Sequence, residues 1–149
     1  MDKRKKRILL VDDEPDFVEL IKSRLEANEY QVVTAKNGKE ALDLLKCLTC
    51  DKFDAILLDI LMPEIDGIET LKRIRQQDKE LPVFMLTAYS DKGMFEQANK
   101  AGASGYIVKT SDLQQEINNI NNILRLAPKY HPAEKSSPYQ GEVGRGKEK

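Results

Sequence analysis

Five short apolar runs punctuate the chain: Arg7–Val11, Gln31–Ala35, Phe53–Leu58, Pro82–Leu86 and Gly105–Val108. Within three of them, Ile8–Val11, Ala55–Leu58 and Val83–Leu86 are apolar at every position rather than at every second one. A strand with one wet face alternates, whereas a strand covered on both faces does not. These runs therefore predict the interior of a parallel sheet sandwiched by helices. The more polar run Gln31–Ala35 predicts an edge strand. Between the runs the spacing turns helical. Phe17, Leu20, Ile21 and Leu25 share one face after Pro15, a residue suited to the first helical position. Ala41, Leu42, Leu45 and Leu48 follow the turn dipeptide Asn37-Gly38, and Ile68, Leu71 and Ile74 follow Asp66, a candidate N-cap. Asp91–Ala101 predicts a weaker helix, with Gly93 inside it and Gly102 at its exit. Leu113, Ile117, Ile120 and Leu124 form the last stripe, preceded by Ser111 and Gln114 at capping-box spacing.

Five strands alternating with five helices predict an α/β doubly wound, flavodoxin-like (βα)5 domain. Right-handed crossovers leave few topologies, of which strand order 2-1-3-4-5 is the expected one. The pattern stops near residue 127. Residues 128–149 hold three prolines, three glycines and eight charges without apolar periodicity. A domain over 1–127 with a disordered tail or linker over 128–149 is expected.

Composition narrows the function. Twenty-four Lys plus Arg stand against 25 Asp plus Glu, a formal net charge of −1. Balanced charge exerts no global pull toward nucleic acid or anionic lipid, and no nucleic-acid reading element is visible. Direct binding to either is not expected. No apolar run nears the ~20 residues of a membrane span. Lys3–Arg7 mimics the start of a secretory signal, but Ile8–Val11 is too short an apolar segment before Asp12-Asp13-Glu14, so a cytoplasmic location is expected. Two cysteines make no disulfide framework and fit a reducing compartment. Cys47 and Cys50 form a CxxC, yet the only histidine, His131, lies in the polar tail, and the pair follows a helix rather than starting one. Neither zinc nor redox chemistry is expected there.

The chemistry gathers where the apolar runs stop. The first ends in Asp12-Asp13 and the third in Asp59. In an open α/β sheet the site lies beyond the carboxyl ends of the strands, where the order reverses, and that point falls between strands 1 and 3. Three carboxylates therefore converge. A lone acid after a strand is as readily an N-cap; three at neighbouring ends repel one another unless a cation compensates them. A hard divalent ion fits best, Mg²⁺ by default and Mn²⁺ as substitute. Thr87 closes the fourth run and Lys109 the fifth, placing a hydroxyl and an ammonium beside the acids. Metal, cation and donor together suit transfer of a phosphoryl group, with a carboxylate as nucleophile.

Four segments carry a family resemblance. Ile8-Leu9-Leu10-Val11-Asp12-Asp13-Glu14-Pro15, Leu57-Leu58-Asp59-Ile60-Leu61-Met62-Pro63-Glu64-Ile65-Asp66-Gly67, Leu86-Thr87-Ala88 and Gly102-Ala103-Ser104-Gly105-Tyr106-Ile107-Val108-Lys109 resemble the receiver domain of two-component response regulators, in order and spacing, over about residues 6–126. The resemblance implies that Asp59 accepts a phosphoryl group from a sensor histidine kinase or phosphotransfer protein. It implies Mg²⁺ on Asp13, Asp59 and the backbone carbonyl of Leu61, with Asp12 acting mainly through water. It also implies that Lys109 pairs with the phosphoryl group and that Thr87 and Tyr106 form a switch. Read-out is then expected on the face of helix 4, strand 5 and helix 5, toward a downstream target or a second copy.

The sequence departs from the family pattern in two places. Thr110 follows Lys109 where a proline preceded by a cis bond is usual, and a trans bond is expected given the cost of a non-proline cis bond, about 2.5–4 kcal/mol. Leu61 and Tyr89 stand where the resemblance places the residues flanking the water that hydrolyses the aspartyl phosphate; Leu61 has no polar group to guide it. The expected function is that of a single-domain phosphorylatable receiver, which catalyses its own phosphorylation and hydrolysis but is not otherwise an enzyme. Two other readings start from the same residues. One is a receiver cut from a longer transcription factor or kinase, with 128–149 as linker; the other is a pseudo-receiver without phosphoryl chemistry, against which the intact Asp12, Asp13, Asp59, Thr87 and Lys109 argue. A flavin protein of this fold is disfavoured, since no phosphate-cradling loop follows the first strand.

Overall fold

Continuous burial, not alternation, marks the centre of the sheet. In the computed structural model, which describes residues 5–47, 49, 51–62, 65–87, 92–109 and 113–126, the strands are β1 (Arg7–Val11), β2 (Gln31–Ala35), β3 (Ala55–Asp59), β4 (Val83–Thr87) and β5 (Gly105–Val108). Every residue of β3 and β4 is buried, whereas β2 is exposed at Gln31 and Thr34. The order is β2-β1-β3-β4-β5, all parallel, with β2 and β5 at the edges. This is the flavodoxin-like topology expected from the alternating pattern.

The helices are α1 (Pro15–Ala27), α2 (Gly38–Leu45), α3 (Gly67–Gln77), α4 (Lys92–Ala101) and α5 (Leu113–Leu126). Successive strand residues point to opposite faces, so each central strand feeds two cores. Leu9, Val11, Ile56, Leu58 and Met85 pack with Leu71 and Ile74 of α3 and with Phe95 and Ala98 of α4. Ile8, Leu10, Leu57 and Leu86 pack with Ile21 and Leu25 of α1 and with Ile120 and Leu124 of α5. Each such aliphatic side chain contributes about 1.5–3 kcal/mol when fully buried. That surplus lets the strand ends hold charges which oppose folding.

The caps agree with their sequence signals. Asn37 Oδ1 accepts from the Glu40 N–H at 2.8 Å, and Asp66 Oδ1 accepts from the Glu69 N–H at 2.9 Å. Pro15 opens α1. Leu48, Asp91 and Ser111, invoked for the second, fourth and fifth helices, lie outside the described residues, as do residues 127–149. No described helix is long and apolar enough to cross a membrane.

Two strands differ from the apolar runs, each at both ends. The third and fourth strands start later, at Ala55 and Val83, and each runs one residue further, taking in Asp59 and Thr87. Phe53 stands outside the ladder with its ring 4.5 Å from the Arg7 guanidinium, and the Arg7 N–H donates to the Asp54 side-chain Oδ2 at 2.7 Å. At the other end, Asp59 pairs with Leu86, and the Ile60 N–H donates to the Leu86 carbonyl at 2.9 Å. Backbone pairing thus carries two polar residues past the end of the apolar signal.

Arg75 binds the far end of the α3 layer together. It donates to the carbonyls of Gly102 at 2.8 Å, Leu81 at 2.7 Å and Asp78 at 3.0 Å. Gly102 leaves α4 at φ +101°, a conformation glycine adopts without a Cβ penalty, and the Arg75 side chain fills the space beside it. Cys47 follows the end of α2 and is disulfide-bonded, so the thiol anticipated from the sequence is not free; Cys50, the only other cysteine, lies outside the described residues.

Candidate functional site

The strand order reverses between β1 and β3, because β1 connects outward to β2 and the chain then crosses back to β3. This opens a crevice at their carboxyl ends, where Asp12, Asp13 and Asp59 meet. One carboxylate oxygen from each lies within 4.8 Å of the others, with Asp12 and Asp59 buried and Asp13 exposed. Asp12 is fixed from two sides. Its backbone N–H donates to the Ala35 carbonyl at 3.1 Å, extending the β1–β2 ladder, and its Oδ1 accepts from the Glu14 N–H at 2.9 Å. The local turn role and convergence on the cleft therefore coexist in one residue.

Lys109 enters from the end of β5. Its Nζ donates to Asp12 Oδ2 at 2.7 Å and to Glu14 Oε1 at 3.3 Å, and lies 3.7 Å from Asp59 Oδ2. It also sits 4.2 Å from the centre of the Phe17 ring. Its backbone is registered by the Lys109 N–H donating to the Thr87 carbonyl at 2.6 Å. Burial disfavours the ammonium, but the Asp12 hydrogen bond and the charges of Asp59 and Asp12 outweigh it, so its pKa is raised.

Asp59 is the strained member. Burial, reinforced by the neighbouring Asp12 charge, pushes its carboxyl up to about 7, against the partial relief of Lys109 and the Leu61 backbone hydrogen bond. Leu61 itself is a large apolar side chain left exposed. Thr87 is fully buried at the end of β4, and Tyr106 is buried on β5 with its ring edge-on to Phe95 of α4, centroids 5.3 Å apart. Tyr89 and Thr110 lie outside the described residues, and with them the expectations placed on the hydrolytic water and on the bond after Lys109.

The donor set suits a hard divalent cation: three carboxylates, one of them open to water, converging beside a single lysine ammonium among the described residues. A pH effect follows. A carboxyl whose folded pKa lies above its unfolded value of 3.8 contributes stability that is complete below that value and lost as pH rises to about 7. Metal-free protein should therefore lose stability across this window, and Asp59→Asn, with no charge to desolvate, should flatten the loss. Urea unfolding in chelator at successive pH values measures it. Parallel pH slopes for the two proteins would show that Asp59 ionises without strain.

Three contributors have weak sequence signals. Phe17 reads as a core residue at helical spacing, and Glu14 as a solvated acid. Gly67 stands inside the quoted motif, but its role is steric: a Cβ there would lie 2.2 Å from the Asp59 carbonyl oxygen.

Comparison with protein families matches residues 8–121 to the response regulator receiver domain. The chain belongs to this family. The receiver is 35% identical over 124 residues to the response regulator SaeR of Staphylococcus aureus, covering 83% of this chain and 53% of SaeR. It thus spans about half the length of that curated relative. Among solved structures it resembles the response regulator TrrA of Thermotoga maritima in complex with Mg²⁺–BeF, at 37% identity and a TM-score of 0.66, over 79% of this chain and 98% of that one. It also resembles the phosphorylated cyanobacterial phytochrome response regulator RcpA, at 27% identity and a TM-score of 0.75, over 83% and 94% of the two chains. By family and fold the chain is a receiver domain of the two-component response regulator type.

Proposed function

We propose that the receiver accepts a phosphoryl group on Asp59 from a sensor histidine kinase or phosphotransfer protein, in a reaction that requires Mg²⁺. The observation that carries this is the meeting of Asp12, Asp13 and Asp59 within 4.8 Å, with the Lys109 ammonium 3.7 Å from Asp59. An Asp59 oxygen attacks phosphorus, the P–N bond of the donor's phosphohistidine breaks, and the imidazole nitrogen leaves with the bonding pair. Asp13, Asp59 and the Leu61 carbonyl would hold Mg²⁺, with Asp12 acting through water and Mn²⁺ able to substitute. When bound, the ion supplies positive charge against the phosphoryl oxygens. Lys109 pairs with an oxygen of the transferred group, and the Thr87 hydroxyl donates to another. Hydrolysis is self-catalysed and tuned by Leu61 and Tyr89. Because Leu61 gives the hydrolytic water no polar guide, the acyl phosphate is long-lived.

The signal leaves by the α4–β5–α5 face. Thr87 and Tyr106 lie on adjacent strands, and Tyr106 contacts α4 through Phe95. Movement of Thr87 toward the phosphoryl group is thereby coupled to the packing of α4. A downstream protein or a second copy binds there. The receiver domain occupies residues 1–127, with 128–149 as tail or linker.

Incubation with a small phosphodonor and Mg²⁺, followed by mass spectrometry, tests the core of this reading. One base-labile phosphoryl group per chain is expected, lost when chelator replaces Mg²⁺. Asp13→Ala should weaken Mg²⁺ binding and cut labelling sharply with the fold intact, since it removes the exposed carboxylate of the three. Unchanged Mg²⁺ affinity in that variant would place the ion elsewhere.

A further inference from the structure

Glu14 occupies the N-cap position of α1 but makes no side-chain cap bond. Glutamate is a poor cap compared with Ser, Thr, Asp or Asn, so α1 gains from Glu14 only a favourable charge at its N-terminus and no cap bond. Its side chain is 65% exposed, yet it reaches across the cleft to the Lys109 ammonium at 3.3 Å. An ammonium has three donors. Here Lys109 spends one on Asp12 at 2.7 Å and one on Glu14, while Phe17 lies over it at 4.2 Å and Asp59 stays outside hydrogen-bond range at 3.7 Å.

We propose that Glu14 is a positioning residue, a latch that, with the Phe17 ring, holds Lys109 on the Asp12 side of the cleft until a phosphoryl group arrives. This rests on the reading of Asp59 as phosphoacceptor. To pair with a phosphoryl oxygen on Asp59, Lys109 must move toward β3 and turn its third donor there, a shift that its two present hydrogen bonds resist. The Asp12 contact is short and its carboxylate is buried and doubly anchored. The Glu14 contact is longer and exposed, so it is the one that yields. Glu14 thus stabilises the unphosphorylated arrangement and slows phosphorylation, acting on Asp59 only through Lys109.

The test separates reach from charge. Glu14→Ala removes both. Glu14→Asp keeps the charge but draws the carboxylate back by about 1.5 Å, one C–C bond, toward the cap position aspartate prefers. Asp16→Ala removes an exposed first-turn charge nearby that makes no ion pair with the cleft among the described residues. With phosphoramidate and Mg²⁺, both Glu14 variants should be phosphorylated roughly two- to fivefold faster than wild type, the range of an exposed ion pair, and Asp16→Ala at the wild-type rate. In metal-free protein the Lys109 ε-methylene resonances, shifted by the Phe17 ring current, should move in both Glu14 variants and stay in place in Asp16→Ala. A wild-type rate for Glu14→Asp, or unmoved Lys109 resonances in Glu14→Ala, overturns the latch. Absence of label on wild type itself would instead overturn the Asp59 reading, and the Lys109 resonances alone would then decide the latch.

Discussion

Asp59→Asn should abolish phosphoryl uptake, taking the label from one group per chain to background. The amide is nearly isosteric but offers no anionic oxygen to attack phosphorus. The other two carboxylates are poor replacements for different reasons. Asp12 is held by Lys109 at 2.7 Å on one oxygen and by the Glu14 N–H at 2.9 Å on the other, so both of its oxygens already accept a hydrogen bond and their charge is partly engaged. Asp13 is exposed and has no ammonium hydrogen-bonded to it among the described residues. Asp59 differs from both: it is buried at the end of the middle strand, β3, with the Lys109 ammonium 3.7 Å away and not hydrogen-bonded to it. Intact mass measurement on wild type and variant, with the same donor and Mg²⁺, gives the answer directly. Label persisting at wild-type stoichiometry in Asp59→Asn would move the acceptor to another residue. The same variant should be the more stable of the two in metal-free neutral buffer, because burial holds the Asp59 carboxyl at about 7.

Gly67→Ala should be the most damaging single-methyl change near the site, costing about 3 kcal/mol or more, at the upper end of overpacking effects. The added Cβ would sit 2.2 Å from the Asp59 carbonyl oxygen and 2.7 Å from the Ile60 Cα. Both are backbone atoms of the acceptor strand or its exit, and neither can rotate away. Relief requires the start of α3 to lift from β3, breaking the 2.7 Å bond from the Gly67 N–H to the Ile60 carbonyl. At Gly38 the closest atom, also at 2.2 Å, is the Thr70 hydroxyl, a side-chain atom that can turn aside, so Gly38→Ala should cost less. Urea midpoints of the two variants test the ranking. An equal or smaller cost at Gly67 would mean the β3–α3 connection is compliant.

Much of this protein was legible one segment at a time. Ile8–Val11, Ala55–Leu58 and Val83–Leu86 announce strands buried on both faces because a doubly covered strand has no solvent side to record. Asp66 announces a helix start because capping is a bond between a side chain and an amide three residues on, and Asn37, read as half of a turn dipeptide, turns out to cap in the same way. Chirality then narrows the order of the strands, and the order locates the cleft at Asp12, Asp13 and Asp59. Each step depends on short-range chemistry or on a rule of handedness that any such alternation obeys.

Only the tertiary structure decided how the residues of the cleft act on one another. Glu14 and Lys109 are 95 positions apart, and nothing in either neighbourhood encodes a 3.3 Å contact. Phe17 sits at a helical spacing that suits a core residue equally well, and only the packing of α1 puts its ring against an ammonium. Asp59 and Thr87 join their strands because partners across the sheet extend the ladder past the last apolar residue. The rise of the Asp59 pKa has the same origin, since desolvation and the field of Asp12 depend on what surrounds a group and not on what precedes it. Periodicity and capping report a residue's own turn or strand, whereas distance across the cleft is set by how five strands and their helices pack.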